Sequence, residues 1–147
     1  MTRAMLGEEI ARRVNEAHPG AATRHSEFDV WIRHDSVLEV AHFLKETPGL
    51  DFSFLLGLTA VDYIEYFELV YHLRSMRHNH SIVLKTRCHG RETPTMPSVT
   101  GVWQAADLQE REIWDLMGIR FEGHPNMKRI LLWEDFPGHP LRRDFLG

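Results

Sequence analysis

Hydrophobic positions change period along this chain, and each change marks an element. Leu6, Ile10 and Val14 recur every fourth residue, the spacing of one face of an amphipathic helix. Glu8 and Glu9 come early in it and Arg12 and Arg13 later, which suits the helix dipole, and Pro19-Gly20 stops it. Phe28, Val30 and Ile32 then alternate with Asp29, Trp31 and Arg33, the pattern of a strand. Asp35-Ser36 opens a second helix. Ser36 and Glu39 have capping-box spacing, Leu38, Ala41 and Leu44 form its inner stripe, and Thr47-Pro48-Gly49 ends it. Three further strands follow: Phe52, Phe54, Leu56 and Leu58; Phe67, Leu69, Tyr71 and Leu73; Ile82, Leu84, Thr86 and Cys88. A polar turn from Arg74 to Ser81 joins the last two and predicts antiparallel neighbours. Gly90 to Pro97 reads as a loop, Ser98-Val99 as a helical turn, and a last helix runs from about Ala105 to Met117.

The order α-β-α-β-β-β-α predicts an α+β fold of two layers, with helices packed on a mainly antiparallel sheet. Beyond Phe121 the pattern changes character. Gly123-His124-Pro125 and Gly138-His139-Pro140 repeat a tripeptide, trailed by the basic pairs Lys128-Arg129 and Arg142-Arg143, with Ile130 to Trp133 an apolar run between them. Proline and glycine at this density do not build a long helix. Residues 1–121 therefore read as the α+β domain. Residues 122–147 read as an extended C-terminal docking tail of the same structural unit, since no linker divides the chain.

Composition narrows the function. With 147 residues, 43% hydrophobic and 26% charged, the chain is long and apolar enough for one folded domain. A net charge of −4 weighs against nucleic acid as a partner, where basic excess supplies affinity. The single cysteine, Cys88, cannot form an internal disulfide or hold an iron–sulfur cluster. It reads as a small core residue of a protein in a reducing, cytosol-facing compartment. The longest nearly apolar run, Phe52 to Val61, is about half the roughly 20 residues of a membrane helix. Charges at Glu8, Glu9, Arg12 and Arg13 interrupt any signal-peptide core. Attachment to a membrane is thus expected only through a partner.

Ten histidines raise the possibility of a free-standing His-dependent metalloenzyme. His78 and His80 have strand spacing for one face, but they sit in the predicted turn, and an exposed turn is the stronger reading. His89, His124 and His139 are further candidates. Proline after His124 and His139 forces extended backbone there, and both rings are expected to pack or cap the tail. Neither HExxH nor a paired-cysteine zinc pattern occurs, nor any nucleotide-binding loop. Glu110, Glu112 and Asp115 could serve acid–base catalysis. Yet Glu112 and Asp115 are helix neighbours and Arg111 reaches Asp115 at i,i+4, so an ion-pair network that receives a tail or partner cation is favoured. Arg111, Arg142 and Arg143 are expected in buried pairs, Arg111 because the other face of its helix carries Leu108, Ile113 and Leu116. Glu122, Glu134, Asp135 and Asp144 balance the basic pairs of the tail, which leaves no net attraction for a polyanion.

The stretch Glu110-Arg111-Glu112, Asp115-Leu116-Met117-Gly118-Ile119, Phe121, Gly123-His124-Pro125, Arg129-Ile130-Leu131 and Gly138-His139-Pro140-Leu141-Arg142-Arg143-Asp144-Phe145 resembles a known signature. It is similar to that of the 30-kDa subunit of proton-pumping NADH–quinone oxidoreductase (respiratory complex I), and of the equivalent subunit of membrane-bound hydrogenases. Ala60-Val61-Asp62-Tyr63, Tyr71-His72-Leu73 and Pro97-Ser98-Val99-Thr100 carry the likeness more faintly upstream. Asp107-Leu108 departs from the Asn-Trp pair frequent in relatives. The resemblance implies a non-catalytic scaffold in the peripheral arm, on the cytoplasmic face of the cell membrane, docked on the large subunit that forms the quinone pocket. It implies FMN and iron–sulfur clusters on other subunits and no cofactor, catalytic or metal site in this chain. A subunit of a hydrogenase or ferredoxin-fed relative is the alternative within the class, and an independent binding module the alternative outside it. The signature residues are then interface and structural positions.

Overall fold

The computed structural model describes residues 2–147. Its elements are β1 (Arg3–Ala4), α1 (Gly7–Ala17), β2 (Ala22–His25), β3 (Asp29–Ile32), a 3-10 turn (His34–Ser36), α2 (Val37–Glu46), β4 (Phe54–Asp62), β5 (Phe67–Ser75), β6 (His80–Cys88), β7 (Thr95–Pro97), α3 (Ala106–Met117) and β8 (Arg120–Glu122). The fold is α+β. The main sheet has the order β2-β3-β6-β5-β4, with β1 beside β6, and β7 pairs with β8 in a separate ribbon. β4–β5, β5–β6 and β2–β3 are antiparallel, whereas β3 and β1 lie parallel to β6. The predicted β5–β6 hairpin is present, in register from Phe67↔Cys88 to Ser75↔His80.

Along β6 buried residues alternate with more exposed ones, as in a sheet with one packed and one open face. Ile10 and Val14 of α1 and Val40, Ala41 and Leu44 of α2 share the core with Leu69, Tyr71, Leu73, Ile82 and Leu84 of the sheet. Cys88 is buried at the end of β6, where its thiol donates to the Thr95 carbonyl.

Several sequence expectations are corrected. Phe54 and Leu56 point to solvent, and Leu55 and Leu58 fill the core. The pairing of β4 with β5 shifts register between Leu55 and Gly57, and such a bulge breaks strict alternation. In α2 the inner stripe is Val37, Val40, Ala41 and Leu44, while Leu38 is exposed. The capping box does not form; Ser36 Oγ accepts from Arg33 instead. Trp31, read as outward, is buried between strands, with Arg24 4.0 Å above its ring and its Nε1 donating to Glu68. β2 is a strand the pattern does not signal: Ala22-Thr23-Arg24-His25 has no apolar alternation, as befits an edge strand. His80 is not in a turn: it begins β6, buried, its Nε2 2.9 Å from the Leu50 carbonyl and its ring against Phe52. His78 stacks on it and pairs with Asp51 at 2.6 Å. Residues 123–147 hold no helix or strand, yet they are turn-rich rather than extended, with local N–H to carbonyl bonds at Lys128, Phe136, Arg142 and Phe145. They form a strap that folds back on α3.

Candidate functional site

Helix α3 organises the signature. Apolar Ala106, Ile113 and Met117 pin it to the core, together with two acids, Glu110 and Asp115, that are wholly inaccessible to solvent. Leu108, expected inside, is exposed.

Glu110 faces back along the chain. Its Oε1 accepts the Ser98 hydroxyl at 2.6 Å and its Oε2 the Val99 N–H at 2.8 Å, so it fixes the turn before α3. Burial pushes its carboxyl above the usual glutamate range, and the bonds from Ser98 and Val99 only partly offset this. The folded chain thus keeps this proton to higher pH than the unfolded chain. The favourable contribution is full below the ordinary glutamate value and is lost as pH rises through the folded one. Glu110→Gln, which keeps an acceptor for Val99 and turns an amide N–H to the Ser98 hydroxyl oxygen, is expected to remove that slope. Melting temperatures taken between about pH 4.5 and pH 8 should show the variant gaining on the parent as pH rises. A constant difference across the range would refute it.

Asp115 faces the strap. Its Oδ2 accepts the N–H groups of Ile130, Leu131 and Leu132 at 3.2, 2.7 and 2.9 Å, and its Oδ1 pairs with Arg129 at 2.7 Å. Burial alone would push this carboxyl up. The Leu132 N–H, the Arg129 guanidinium and the N–H groups of Leu131 and Ile130 outweigh it, and its pKa is lowered. Arg129 goes on to bond the carbonyls of Asp115, Phe136 and Gly138. Arg111 does not pair with Asp115 as its spacing suggested. It reaches across to the carbonyls of Lys128 and Arg129 at 3.1 and 2.9 Å, because Asp115 is already filled by strap donors. Glu112 stays exposed.

The two Gly-His-Pro copies sit at opposite ends of α3. The His124 side chain is fully buried; its Nε2 faces the carbonyl and carboxylate oxygens of Asp107 at 3.0 and 2.9 Å, and its Nδ1 accepts the Asn126 N–H. His139 donates from Nδ1 to the Asp115 carbonyl at 2.9 Å and packs against Trp114. Gly118, in the left-handed region at φ 76°, ends α3, and a Cβ there would lie 2.7 Å from the His139 ring. Only glycine allows both the helix stop and that approach. Pro125 is exposed and Pro140 half-buried, and Gly123 and Gly138 both have positive φ.

The strap's end is latched elsewhere. Asp62, at the end of β4, takes a two-pronged pair from Arg91 at 2.6 and 2.9 Å, and also the N–H groups of Ile64 and Arg143. The Arg91 pair chiefly holds its carboxyl far below the usual aspartate range. Arg91 and Arg142 both reach Asp144, Arg142 also donates to the Arg91 carbonyl, and both guanidinium groups lie over Phe67. The Arg143 side chain, expected in a buried pair, is exposed, and its backbone does the bonding. Arg91 escaped sequence reasoning because a lone arginine in a polar loop carries no periodic signal. Among the described residues no three His, Cys, Asp or Glu side chains gather as a metal site, and no helix is long and apolar enough to cross a membrane.

The family described as respiratory-chain NADH dehydrogenase, 30-kDa subunit, matches residues 30–147. A NADH-quinone oxidoreductase subunit from Roseiflexus sp. (strain RS-1) is 40% identical over 147 residues, covering 98% of this chain and 84% of the relative. The corresponding subunit from Rhizobium meliloti (strain 1021) is 44% identical, covering 86% and 69%, and that from Moorella thermoacetica is 50% identical, covering 76% and 74%. Among solved structures, a chain of the membrane-bound sulfane sulfur reductase, an archaeal respiratory membrane complex, superposes with a TM-score of 0.75 at 31% identity, covering 95% of this chain and 85% of that one. On sequence and fold together, this chain belongs to the family of the 30-kDa subunit of respiratory-chain NADH dehydrogenase.

Proposed function

We propose that the chain is a non-catalytic scaffold subunit of the peripheral arm of a proton-translocating NADH–quinone oxidoreductase. In this reading it docks on the large quinone-pocket subunit, at the cytoplasmic face of the membrane, through the strap of residues 122–147. One observation carries the reading. The strap turns its backbone and the Arg129 side chain inward to Asp115, Arg111 and Asp62, while Leu131, Trp133, Leu141 and Leu146 are left 61% to 99% exposed. A fixed backbone presenting tryptophan and leucine outward is suited to an interface, where aromatic anchors concentrate binding energy. The signature residues act by building that surface: Asp115, Arg129, Arg111 and His139 hold the strap, while Glu110 and His124 brace α3.

The histidines support scaffolding over chemistry. His80, His124 and His139 are each engaged by main-chain partners, and His78 by Asp51. The redox groups, FMN and iron–sulfur clusters, belong in this reading to other subunits, since one buried thiol is too few ligands for a cluster. A subunit of a different respiratory membrane complex is the second reading, favoured by the likeness to a chain of the sulfane sulfur reductase.

The double variant Leu131→Ala/Trp133→Ala tests the reading. Both side chains are exposed, so the purified chain should keep its circular dichroism and melting temperature. Its recovery with other subunits from detergent-solubilised membranes is expected to fall by about tenfold or more, the loss of at least one interface anchor. Parental recovery would end the docking role of the strap.

A further inference from the structure

The hairpin between β4 and β5 turns through Tyr63, Ile64, Glu65 and Tyr66. Ile64 has φ 73°, in the left-handed region that β-branched residues tolerate least. Glycine or asparagine would fit that turn position on conformational grounds. Burial offers Ile64 nothing in return: it is 57% exposed, and its neighbours Tyr63 and Val61 are exposed too. The conformation is nonetheless held firmly. The Ile64 N–H donates to Asp62 Oδ1 at 2.8 Å, and its carbonyl accepts from Arg91 at 3.1 Å. The N–H groups of Tyr63 and Glu65 close the turn on the carbonyls of Tyr66 and Tyr63. Asp62 also takes the Arg143 N–H, so the hairpin tip and the end of the strap are fixed to one carboxylate.

We propose that Ile64 is a pre-set apolar knob that inserts into an apolar recess of the partner protein that receives the strap. The proposal rests on the docking reading above and adds a second contact to it. A strained, solvent-facing isoleucine locked by a half-buried ion pair is ordered before binding, and pre-ordering lowers the cost of association. The partner is a protein surface rather than a bilayer. Glu65 lies beside the knob in sequence, and an anionic lipid surface repels negative charge.

Ile64→Gly removes the side chain and the strain together; Ile64→Leu keeps the apolar bulk without the β-branch. The purified full-length Ile64→Gly chain is expected to melt at or above the parental temperature. Its recovery in the detergent-solubilised assembly should fall by about tenfold, with Ile64→Leu close to the parent. Parental recovery of Ile64→Gly overturns the proposal. So does a melting temperature that falls together with recovery, because the residue then serves the fold. Binding of the parent, but not Ile64→Gly, to phosphatidylglycerol vesicles would assign the knob to lipid and overturn it as well. Leu131→Ala/Trp133→Ala in the same experiment separates the two readings. If that variant assembles and Ile64→Gly does not, docking runs through the knob and the outward side chains of the strap carry none of it. The reverse result removes the knob alone.

Discussion

Asp115→Asn is expected to release the strap from the body while leaving the sheet and helices in place. The carboxylate is inaccessible to solvent and is satisfied by one guanidinium and three main-chain N–H groups. An amide offers one acceptor where two are used, and it turns N–H hydrogens toward donors. Breaking one side of a buried pair costs about 3–5 kcal/mol, and at this size that corresponds to a drop of roughly 10 °C in melting temperature. Trypsin should then cut after Lys128 and Arg129 much faster than in the parent, with the far-ultraviolet circular dichroism of the body retained. An unchanged cleavage rate would mean that the apolar contacts of the strap hold it unaided. Acid should mimic the substitution. The folded pKa of Asp115 is depressed, so its contribution is present above the ordinary aspartate value and is lost as pH falls below about 4 toward the folded value. Strap cleavage by an acid-active protease is expected to rise in that window in the parent and to be already high in Asp115→Asn.

Arg129→Lys should cost nearly as much as loss of the acid, whereas Arg143→Lys should cost nothing measurable. The Arg129 fork bonds Asp115 through Nη1 and the carbonyls of Phe136 and Gly138 through Nη2, so one planar group ties the helix end to both halves of the strap. A lysine ammonium can keep the charge on Asp115 but cannot span those directions. Leaving two or more carbonyls without their charged donor costs about 2–4 kcal/mol. The Arg143 side chain is exposed and bonds through its backbone N–H, and lysine supplies that group equally. Chemical denaturation of the two variants beside the parent decides the matter: equal midpoints for Arg129→Lys and Arg143→Lys would show that charge alone, without the fork, holds the strap. Arg111 falls between them, since it donates to two carbonyls of the strap and to no carboxylate.

The periodic parts of this protein were open to reading from its sequence. Ile10 and Val14, the set Phe67, Leu69, Tyr71 and Leu73, and the set Ile82, Leu84, Thr86 and Cys88 all face the core as their spacing implied, because burying one face demands that spacing of any sequence. The α+β class followed from the order of those segments, and the repeated Gly-His-Pro with its basic pairs marked residues 122–147 as a stretch that builds no long helix. Other matters lay beyond local pattern. The bulge at Leu55 to Gly57 put Leu55 inside and left Phe54 and Leu56 outside, while Leu58 kept its expected place. The parallel pairing of β3 with β6 and the polar edge strand β2 depend on partners distant in the chain. Spacing paired Asp115 with Arg111, four residues away, yet the tertiary fold gave it Arg129 and the strap backbone. A helix face offers a carboxylate one nearby cation of modest worth, whereas a returning chain offers several donors at once in a site without water. Asp62 with Arg91, and the left-handed Ile64 they hold, follow the same logic. Sequence determines which groups require partners, and the closure of the chain determines which partners arrive.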